Sequence, residues 1–535
     1  MMPEPDVDAL VDFDQKIAEH YNRQPYTSNP FPYTAPAHLR AAAHLYGVET
    51  MPLQHAKVLE LGCAAGGNLV PFAAQHPQAL AVGVDLSSVQ IEQGRALVKH
   101  MGLENVQLHA MSISDISAEF GQFDYIIVHG VFSWVPPEVR QDILRVCREN
   151  LSPKGLAYIS YNTYPGWKAG EIVRDAMLLH SHFADEEQKV DSAKAMLTLL
   201  SDGLAVSNPL RPSLLGAVQQ LRTHSDYYIA HEYLETFNSP CYFVEFADAA
   251  QQAGLVHVGD SEPRLECSQV FGQNVQLNHS LIALGQNRLL RQQYLDFAVG
   301  RNFRKSMLVH AHREGEILSS PDLNRLSDLR FAGYFESAKK NDDAPEHVRA
   351  YKNARGELLH IDGAGLQAAL AILHQAWPHA VSGQDLARRL MQVAEVQTAE
   401  KAQAALEALF NFGRYTMELD DETSQSWTQQ GLLAGFAPLL EWRRQVHEGI
   451  GQYNRWHGGA NIKLTEAEYF VLQHMAKGLA SDAEIRRNLC DAWTAGRIPG
   501  NDGASLKGQR NLDPKAAKVM ADLKQLLVRQ GLMQA

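Results

Sequence analysis

The first third of the chain alternates short apolar runs with segments that carry helical signals. The apolar runs occupy residues 57–61, 79–84, 106–110, 123–129 and 156–161. Between them lie a Ser87-x-x-Gln90 capping box and, after Pro136, a segment with one apolar face, both typical of helices. Strands separated by helices predict a parallel sheet with right-handed crossovers, and residues 152–155 predict a turn before the fifth strand.

The alternation stops near Ala169. Residues 169–240 predict helices without a clear strand, whereas 255–260 and 305–311 each predict one further strand. We therefore interpret 169–240 as a helical insertion, after which the chain returns to complete the sheet.

The C-terminal part of the chain follows a different pattern. Residues 313–350 are polar and predict a linker. Residues 351–535 are mostly helical in pattern, and an order of three helices and a strand predicts a winged-helix-like region. Winged helices often bind DNA, but this region is not notably basic, which favours protein contact or a scaffold role.

Length and composition describe a globular protein. The chain has 535 residues, of which 45% are hydrophobic and 20% charged, and this length predicts roughly two to four domains. The net charge of −13 and the lack of a long basic run argue against a nucleic-acid partner. The five cysteines lie far apart without a C-x-x-C pair, so we expect neither a disulfide framework nor a metal site.

The N-terminal residues and the lengths of the apolar runs predict the cellular location of the protein. The N-terminal residues are acidic and contain no apolar core, so no signal peptide is predicted. No run approaches the roughly 18 apolar residues of a membrane-spanning helix. We therefore expect a cytoplasmic protein that does not insert into a membrane.

Residues 1–36 precede the first strand and form a segment rich in prolines and aromatic residues. Its aromatic residues include Tyr21, Tyr26, Phe31 and Tyr33. The prolines stiffen the segment and prevent a helix, so it predicts an extended aromatic arm. Such an arm either covers a cofactor cleft as a lid, with Tyr21 and Tyr26 near the substrate, or packs on its own domain as a strap.

Residues 57–68, KVLELGCAAGGN, are the most informative stretch, because a buried strand leads there into a glycine-rich turn and a helix. Glycines at 62, 66 and 67 allow a ligand to approach the backbone closely. The N–H groups of the helix N-terminus attract polar or anionic ligand atoms. Asp85 ends the next apolar run and is suited to accept both hydroxyls of a ribose. Together these features indicate a nucleoside cofactor.

Glu60 narrows the choice of nucleoside. A dinucleotide loop has the spacing G-x-G-x-x-G, whereas this turn has G-x-x-x-G-G with Glu60 just before the first glycine. A carboxylate there repels phosphate and suits a cofactor with a positive centre and no phosphate. S-adenosylmethionine (SAM) has these properties. The alternative is a tight strand–helix turn without a ligand.

The carboxyl ends of the later strands supply further candidates, because ligands of such sheets bind there. Ser114 and Asp115 follow the third strand and would reach the adenine amino group, although such a pair also caps turns. His129 ends the fourth strand, where a histidine is more often packed than a proton shuttle. The fifth strand ends in residues 161–167, YNTYPGW.

Several motifs together resemble one bacterial family. The motifs are YNRQPYTSNPFPYTAP, VLELGCAAGGN, YIIVHGVFSWVP, YNTYPGW, HEYLE with NSPCYFVEF, and DFAVGRNFRKSMLVH. They resemble the class I SAM-dependent methyltransferases with a methyltransferase regulatory domain, to which the rickettsial-type protein lysine methyltransferases are similar. The resemblance covers about residues 10–312 well and is looser over the C-terminal part.

This resemblance implies an α/β fold with a Rossmann-like, seven-stranded methyltransferase sheet. The implied domains are the arm at 1–36, the SAM-binding core at 37–168, a regulatory and dimerisation insertion at 169–240, the end of the sheet at 241–312, a linker at 313–350 and a winged-helix-like region at 351–535. A homodimer is a possible state under this resemblance.

The resemblance also implies a set of site residues. Around SAM it implies Glu60, Gly62, Gly66, Asp85 and Asp115. We add as predicted cofactor contacts the neighbouring residues Cys63, Ala64, Asn68, Leu86, Ser114 and His129. For the methyl-transfer pocket the expected residues are Tyr164, Trp167, Asn162 and Tyr161.

Methyl transfer from a sulfonium is an in-line displacement that needs a nucleophile about 3 Å from the methyl group and exclusion of water. For a lysine acceptor, an aromatic pocket lowers the pKa of the amine by desolvation and attracts the sulfonium. We therefore expect a methyltransferase that acts on a protein lysine. The alternatives are a small-molecule methyltransferase and a SAM-binding scaffold without activity.

Overall fold

The structure is a computed structural model of the 535-residue chain. It describes Asn22 and residues 27–182, 188–224, 226–235, 237–340, 345–420, 427–446, 450–459, 462–478 and 481–534. These residues fall into two compact units. Unit 1 contains the described residues up to Asp115, residues Phe123–Tyr125 and the described residues from Pro321 onward, and unit 2 contains the described residues of Ile116–Gln122 and Ile126–Ser320.

Strands and helices alternate in the first third, as the apolar pattern predicts. The strands are β1 Lys57–Leu61, β2 Leu80–Asp85, β3 Val106–Ala110, β4 Phe123–Val128, β5 Leu151–Asn162, β6 Leu255–Asp260, β7 Phe303–His310, β8 Arg330–Ala332, β9 Glu336–Ala338, β10 Arg349–Lys352, β11 Leu358–Ile361, β12 Val381–Ser382 and β13 Thr416–Glu418.

The helices of the described residues are named in the same way. They are α1 Pro36–Leu45, α2 Leu69–Gln75, α3 Ser88–His100, α4 Pro137–Asn150, α5 Trp167–Ser181, α6 Lys189–Asp202, α7 Arg211–Arg222, α8 Asp226–Tyr233, α9 Phe243–Gln252, α10 Gln273–Ile282, α11 Arg288–Val299, α12 Ala364–Ala376, α13 Gly383–Leu390, α14 Ala399–Phe412, α15 Phe436–Val446, α16 Glu466–Lys477, α17 Asp482–Thr494 and α18 Asp513–Arg529.

Seven strands form one mixed sheet in the order β3-β2-β1-β4-β5-β7-β6. β1 and β3 both pair with β2 in parallel, whereas β7 is antiparallel to both β5 and β6. The predicted seven-stranded, Rossmann-like α/β fold is confirmed. The two late strands predicted at 255–260 and 305–311 are β6 and β7.

Close packing at Gly83 joins the turn after β1 to the sheet. A Cβ atom at Gly83 would lie 2.6 Å from Cys63 Sγ and 2.8 Å from Leu108 Cδ2. Glycine at this position therefore lets the turn after β1 pack directly on the sheet. The register pairs Glu60 with Gly83, which places the carboxylate beside this close contact.

The structure differs from the sequence prediction at two polar segments. The turn predicted at 152–155 lies inside β5, whose pairing with β7 begins only at Ala157, so the first residues of β5 extend past this partner. The segment predicted as a linker contains β8 and β9, and Phe331 in β8 is 1% exposed. Isolated buried residues in a polar segment give no period, which is why the apolar pattern missed β8.

The C-terminal residues of unit 1 contain two small sheets and seven helices among the described residues. β12 and β13 both pair antiparallel with β8, and β10 lies between β9 and β11. Helices α12, α13 and α14 are followed by β13, which is the order on which the winged-helix-like interpretation rests. That interpretation stays a prediction.

One apolar core in unit 1 joins residues from distant parts of the chain. Ala65, Val70 and Leu97, from the turn after β1 and from α2 and α3, pack in the same buried cluster as Leu439 and Leu523 of α15 and α18. The C-terminal helices therefore contribute to the core that supports the glycine-rich turn.

The residues predicted as a helical insertion form helices α5–α8 in unit 2. Their buried cluster contains Trp167, Met177, Leu197, Val218 and Tyr233. Of the helices that the structure describes in either unit, none has both the length and the apolar character needed to cross a bilayer.

Candidate functional site

The turn after β1 has the backbone geometry of a ligand-binding loop. Gly62 and Gly66 have φ values of 75° and 79°, and Ala64 has a φ of 50°, so the turn uses conformations that favour glycine. The N–H groups of Gly62 and Cys63 donate to Val84 O at 2.8 and 3.1 Å, which fixes the turn on the end of β2.

Glu60 supplies a buried acceptor beneath this turn. The residue is 4% exposed, and its Oε1 accepts a hydrogen bond of 3.0 Å from Asn68 Nδ2. Its Oε2 is buried and has no hydrogen-bond partner among the described residues. Burial raises the pKa of this carboxyl to about 8, Asn68 opposes the shift, and the charge of Asp85 adds to it. The site therefore offers an acceptor that a cationic ligand group would satisfy.

Asp85 links the turn to the end of β2. Its Oδ2 accepts from the N–H of Ala64 at 2.7 Å, and its Oδ1 accepts from the N–H of Ser87 at 2.9 Å. Burial raises the pKa of Asp85, while these backbone hydrogen bonds oppose the shift. Each carboxylate oxygen keeps a second lone pair, so Asp85 can hold the loop and still accept ligand hydroxyls.

Asp85→Asn is expected to weaken unit 1. Whichever way the amide is oriented, one of the two backbone N–H groups then faces an NH2 donor. We expect a loss of about 1–3 kcal/mol in the free energy of unfolding and about tenfold weaker SAM binding. Urea unfolding and calorimetric titration with SAM measure the two effects. Asp115→Asn is the matched control, since Asp115 is exposed, and an equal loss of stability in both variants would contradict this role of Asp85.

The aromatic arm contacts the turn directly through residues that the sequence analysis did not single out. The N–H of Gly67 donates to Ser28 Oγ at 2.7 Å, and the N–H of Phe31 donates to Asn68 Oδ1 at 3.1 Å. Thr34 Oγ1 also lies 3.1 Å from Asn68 Oδ1. Asn68 is thus occupied by the arm and by Glu60. Residues 28–34 act as a strap on unit 1, whereas Tyr21 and Tyr26 lie outside the described residues.

The other predicted cofactor residues of unit 1 follow the ends of β1, β2 and β3. Cys63 is buried with Sγ directed at the Ala64 carbonyl, and Leu86 is half-buried after β2. Ser114 and Asp115 are exposed in the one-turn 3₁₀ helix Ile113–Asp115 after β3. The N–H of Asp115 donates to Ser112 O at 3.2 Å, which fits the turn-capping alternative for this pair.

His129 lies in unit 2 and is held by side chains of β5. Its Nδ1 lies 3.2 Å from Tyr158 Oη and 3.0 Å from Ser160 Oγ. Burial lowers the pKa of His129 to about 3, and the charge of Lys305 lowers it further. This histidine is therefore neutral near pH 7, and its contacts are those of a packed strand-end residue.

Asn162 is also held by neighbours in unit 2. Its Nδ2 donates to Asn238 Oδ1 at 3.0 Å, and its N–H donates to Ser133 Oγ at 2.9 Å. Asn238 Nδ2 is buried without a hydrogen-bond partner among the described residues. The pair therefore retains one donor that a ligand atom or a water would satisfy.

Two predicted pocket residues lie in hydrophobic clusters of unit 2. Tyr161 is 1% exposed, stacks on Phe246 with ring centroids 4.1 Å apart, and lies with its hydroxyl 3.1 Å from Ser306 Oγ. Trp167 is 8% exposed and packs against Tyr233 at 5.7 Å. The place of Tyr161 and Trp167 in an acceptor pocket stays a prediction. The YNTYPGW pattern alone could not show this burial, because strand-end aromatics have the same spacing in a core and in a pocket.

Trp167→Ala is therefore expected to act through stability. Removing a buried indole from the helical cluster should cost about 3–5 kcal/mol, whereas Trp167→Phe should cost about half as much. Urea unfolding measures these losses. An acceptor role would be shown instead if Trp167→Phe kept the wild-type unfolding midpoint and SAM affinity but lost turnover.

Tyr164 differs from Tyr161, because it is only half-buried and is surrounded by charged groups. Its hydroxyl donates to Glu171 Oε1, and Lys168 Nζ lies 3.5 Å from the centre of its ring. Tyr242 packs beside it with ring centroids 5.2 Å apart. Burial raises the pKa of Tyr164, and Glu171 raises it further, so the hydroxyl stays protonated. Tyr164 thus combines a cation-binding ring with a nearby carboxylate.

The sheet order, the glycine-rich turn and the buried Glu60 define a class I SAM-dependent methyltransferase domain. Family profiles match it as a methyltransferase domain at residues 58–155 and as a "Predicted methyltransferase regulatory domain" at 225–310.

Two proteins of Rickettsia prowazekii are similar to longer parts of the chain than the family profiles match. The uncharacterized protein RP028 of Rickettsia prowazekii is 40% identical over 234 residues, which cover 43% of this chain and 94% of RP028. RP789 of the same organism is 40% identical over 309 residues, and the match spans only 55% of that protein and 57% of this chain. The chain belongs to the family of methyltransferases that carry a methyltransferase regulatory domain.

A solved structure matches nearly the whole chain. PKMT2 from Rickettsia typhi is 25% identical, with a TM-score of 0.76 over 95% of this chain and 100% of PKMT2. The same protein in complex with AdoHcy gives a TM-score of 0.77. SAM is the cofactor of the family, and the unpartnered Glu60 Oε2 beneath the turn fits its cationic methionine end.

Proposed function

We propose that this protein transfers a methyl group from SAM to a lysine amine of a protein. The observation that carries the proposal is the match of 95% of this chain to the whole of PKMT2 from Rickettsia typhi. The sequence motifs named above also resemble a family to which the rickettsial-type protein lysine methyltransferases are similar. The match extends well beyond the methyltransferase sheet, which supports a common mode of action over a common fold alone.

The residues of unit 1 would bind and orient the cofactor. SAM supplies a methyl group on a sulfonium, whose bond to sulfur breaks as the bond to the acceptor nitrogen forms. Glu60 Oε2 would accept from the cofactor's ammonium group, and Asp85 would accept from the ribose hydroxyls. The backbone amide groups of the turn would lie directly against the cofactor. These contacts bind and position the cofactor without a covalent step on the chain.

The surroundings of Tyr164 support an amine as the acceptor. The ammonium of Lys168 lies over the Tyr164 ring and 3.6 Å from Glu171 Oε2. An aromatic face beside a carboxylate thus already holds one lysine side chain in unit 2. A substrate lysine would find the same chemistry, with the ring face attracting its cationic form on entry.

A labelling experiment tests the proposal. The full chain is incubated with tritiated SAM and a cell lysate, and the protein and small-molecule fractions are counted separately. Label in protein that is retained as methyl-lysine after acid hydrolysis supports the proposal. Label only in small molecules would favour a small-molecule methyltransferase, and SAM binding without label would favour a SAM-binding scaffold.

Tyr164 variants separate its ring from its hydroxyl. Tyr164→Phe keeps the ring face and should retain most of the methyl transfer to protein. Tyr164→Ala loses the face and should raise KM for the protein acceptor about tenfold. SAM affinity should stay unchanged in both variants. Equal turnover and equal KM in Tyr164→Ala and the wild type would rule out a role for the ring.

A small-molecule acceptor is the second candidate. Trans-aconitate 2-methyltransferase of Deinococcus radiodurans is 28% identical over 102 residues, which cover 19% of this chain and 36% of that enzyme. This shorter match falls far below the coverage of PKMT2, so the protein acceptor is preferred. Dimerisation through residues 169–240 stays a prediction, which light scattering of a chain without that segment would test.

A further inference from the structure

Unit 1 contains a solvent-open cleft away from the glycine-rich turn. Its empty space, counted together with the solvent at its open mouth, is about 280 Å³. The residues that line it are Pro32, Ala35, Ala37, His38, Thr416, Met417, Arg455, Trp456 and His457. Most of its wall is apolar, and its polar side chains are predominantly basic.

Arg455 brings a buried guanidinium to this cleft. The residue is 5% exposed, and its Nη2 donates to Glu418 Oε2 at 2.8 Å. Its Nε is buried and has no hydrogen-bond partner among the described residues. The guanidinium also lies 4.5 Å from the ring centre of Trp456, which keeps it in place beside an apolar wall.

His457 brings a second unsatisfied nitrogen. It is 6% exposed, and its Nε2 is buried without a hydrogen-bond partner among the described residues. Its φ of 54° places its backbone in the left-handed region, which is uncommon for a residue other than glycine. Burial lowers the pKa of His457 to about 3, and the charge of Arg455 adds to this effect.

Glu418 is the carboxylate that pairs with Arg455 beside the cleft. Arg330 Nε lies 3.7 Å from Glu418 Oε1, so this one carboxylate faces the guanidinium groups of both Arg330 and Arg455. Among the described residues that line the cleft, none has a carboxylate of its own. An anion that accepts hydrogen bonds from Arg455 Nε and His457 Nε2 would satisfy these two buried nitrogens.

We propose that this cleft is a binding site for a small oxyanion, either a carboxylate or inorganic phosphate. Arg455 Nε donates to it, and His457 donates from Nε2 in the tautomer that carries the proton there. Trp456 and Met417 exclude water from one side and strengthen these charged hydrogen bonds. The site is separate from the proposed methyl transfer, because none of its lining residues belongs to the cofactor turn.

The cleft is bordered by the same strap that contacts the turn. Pro32 and Ala35 line it, and the neighbouring Phe31 and Thr34 contact Asn68. An occupant of the cleft therefore packs against the segment that orients the partner of Glu60.

Titrations on the full chain test the proposal at constant ionic strength. Acetate and inorganic phosphate are the probes, chloride is the ionic-strength control, and the tryptophan fluorescence of the chain is the signal. We expect a saturable change with acetate or phosphate that Trp456→Phe removes. The same change with chloride, or no saturable change with either oxyanion, would overturn the proposal.

Variants locate the binding. His457→Asn tolerates the positive φ and removes Nε2, and Arg455→Lys keeps a cation for Glu418 but loses Nε. Both are expected to bind the oxyanion about tenfold more weakly. His55→Asn, on an exposed residue, should bind as the wild type. Calorimetry on variants with wild-type melting temperatures makes the comparison, and unchanged affinity in both cleft variants would overturn the assignment.

Discussion

Glu60→Gln is expected to bind SAM about a hundredfold more weakly than the wild type, yet to unfold less readily in the absence of SAM. The amide can still accept the hydrogen bond of 3.0 Å from Asn68 Nδ2. At the position of Oε2, however, it places an NH2 group in front of the cofactor's ammonium, and the two donors repel each other. The loss of binding thus follows from a single atom.

The gain in stability depends on pH in a defined direction. Burial raises the pKa of Glu60 from 4.5 to about 8 in the ligand-free fold. Below the pKa of the unfolded state, the carboxyl is neutral in both the folded and the unfolded chain. Its ionisation then has no effect on the free energy of unfolding. As the pH rises toward 8, the unfolded chain ionises first and the wild type loses stability, whereas the Gln variant does not. At pH 7 the variant should be more stable by about 3 kcal/mol.

Urea unfolding of the ligand-free chain between pH 5.5 and 8 measures this difference, and calorimetry measures SAM affinity. Glu92→Gln is the matched control, because that side chain is 68% exposed and pairs with Arg95 on the surface. A stability difference that stays constant over this pH range would contradict the raised pKa of Glu60.

Gly67→Ala is expected to weaken both the stability of unit 1 and the binding of SAM. A Cβ atom there would lie 2.1 Å from Ser28 O and 2.8 Å from Ser28 Oγ. The strap has to move away, which breaks the hydrogen bond from the Gly67 N–H to Ser28 Oγ. We expect a loss of about 1–3 kcal/mol in stability and about tenfold in SAM affinity, because Asn68 and Glu60 lose their support.

Gly459→Ala is the control for Gly67→Ala. Gly459 is exposed in the same unit, and a Cβ atom there meets nothing within 4 Å. Chemical unfolding and SAM titration of the two variants give the comparison. If Gly67→Ala kept the SAM affinity of the wild type, the contact of the strap with the turn would have no part in cofactor binding.

The sequence was most informative where local pattern decides structure. β1, β3 and β6 have the bounds that the apolar runs predict, and Ser87 caps α3 by accepting from the N–H of Gln90. The prediction that Glu60 lies beside the cofactor also rests on its place before the first glycine. Each of these features depends on residues that lie close together in the chain.

Features that depend on distant contacts were not predictable in this way. Ser28 binds the turn through a contact across 39 positions, and nothing in its own neighbourhood marks it. Tyr161 and Tyr164 are three residues apart in one motif, yet Tyr161 is buried in a core and Tyr164 is half-buried beside charged groups. The packing of Phe246 on Tyr161 is a long-range contact that helps to separate the two.

The shared core of unit 1 has a consequence for the folding of the chain during its synthesis on the ribosome. Ala65 and Val70 are made early, but Leu439 and Leu523, which cover them, are made several hundred residues later. At a synthesis rate of about 5–20 residues per second, the apolar face beside the turn stays exposed for on the order of tens of seconds before these residues are made. A nascent chain is therefore expected to bind SAM only late in its synthesis. It also has the greatest need of a chaperone between these two times.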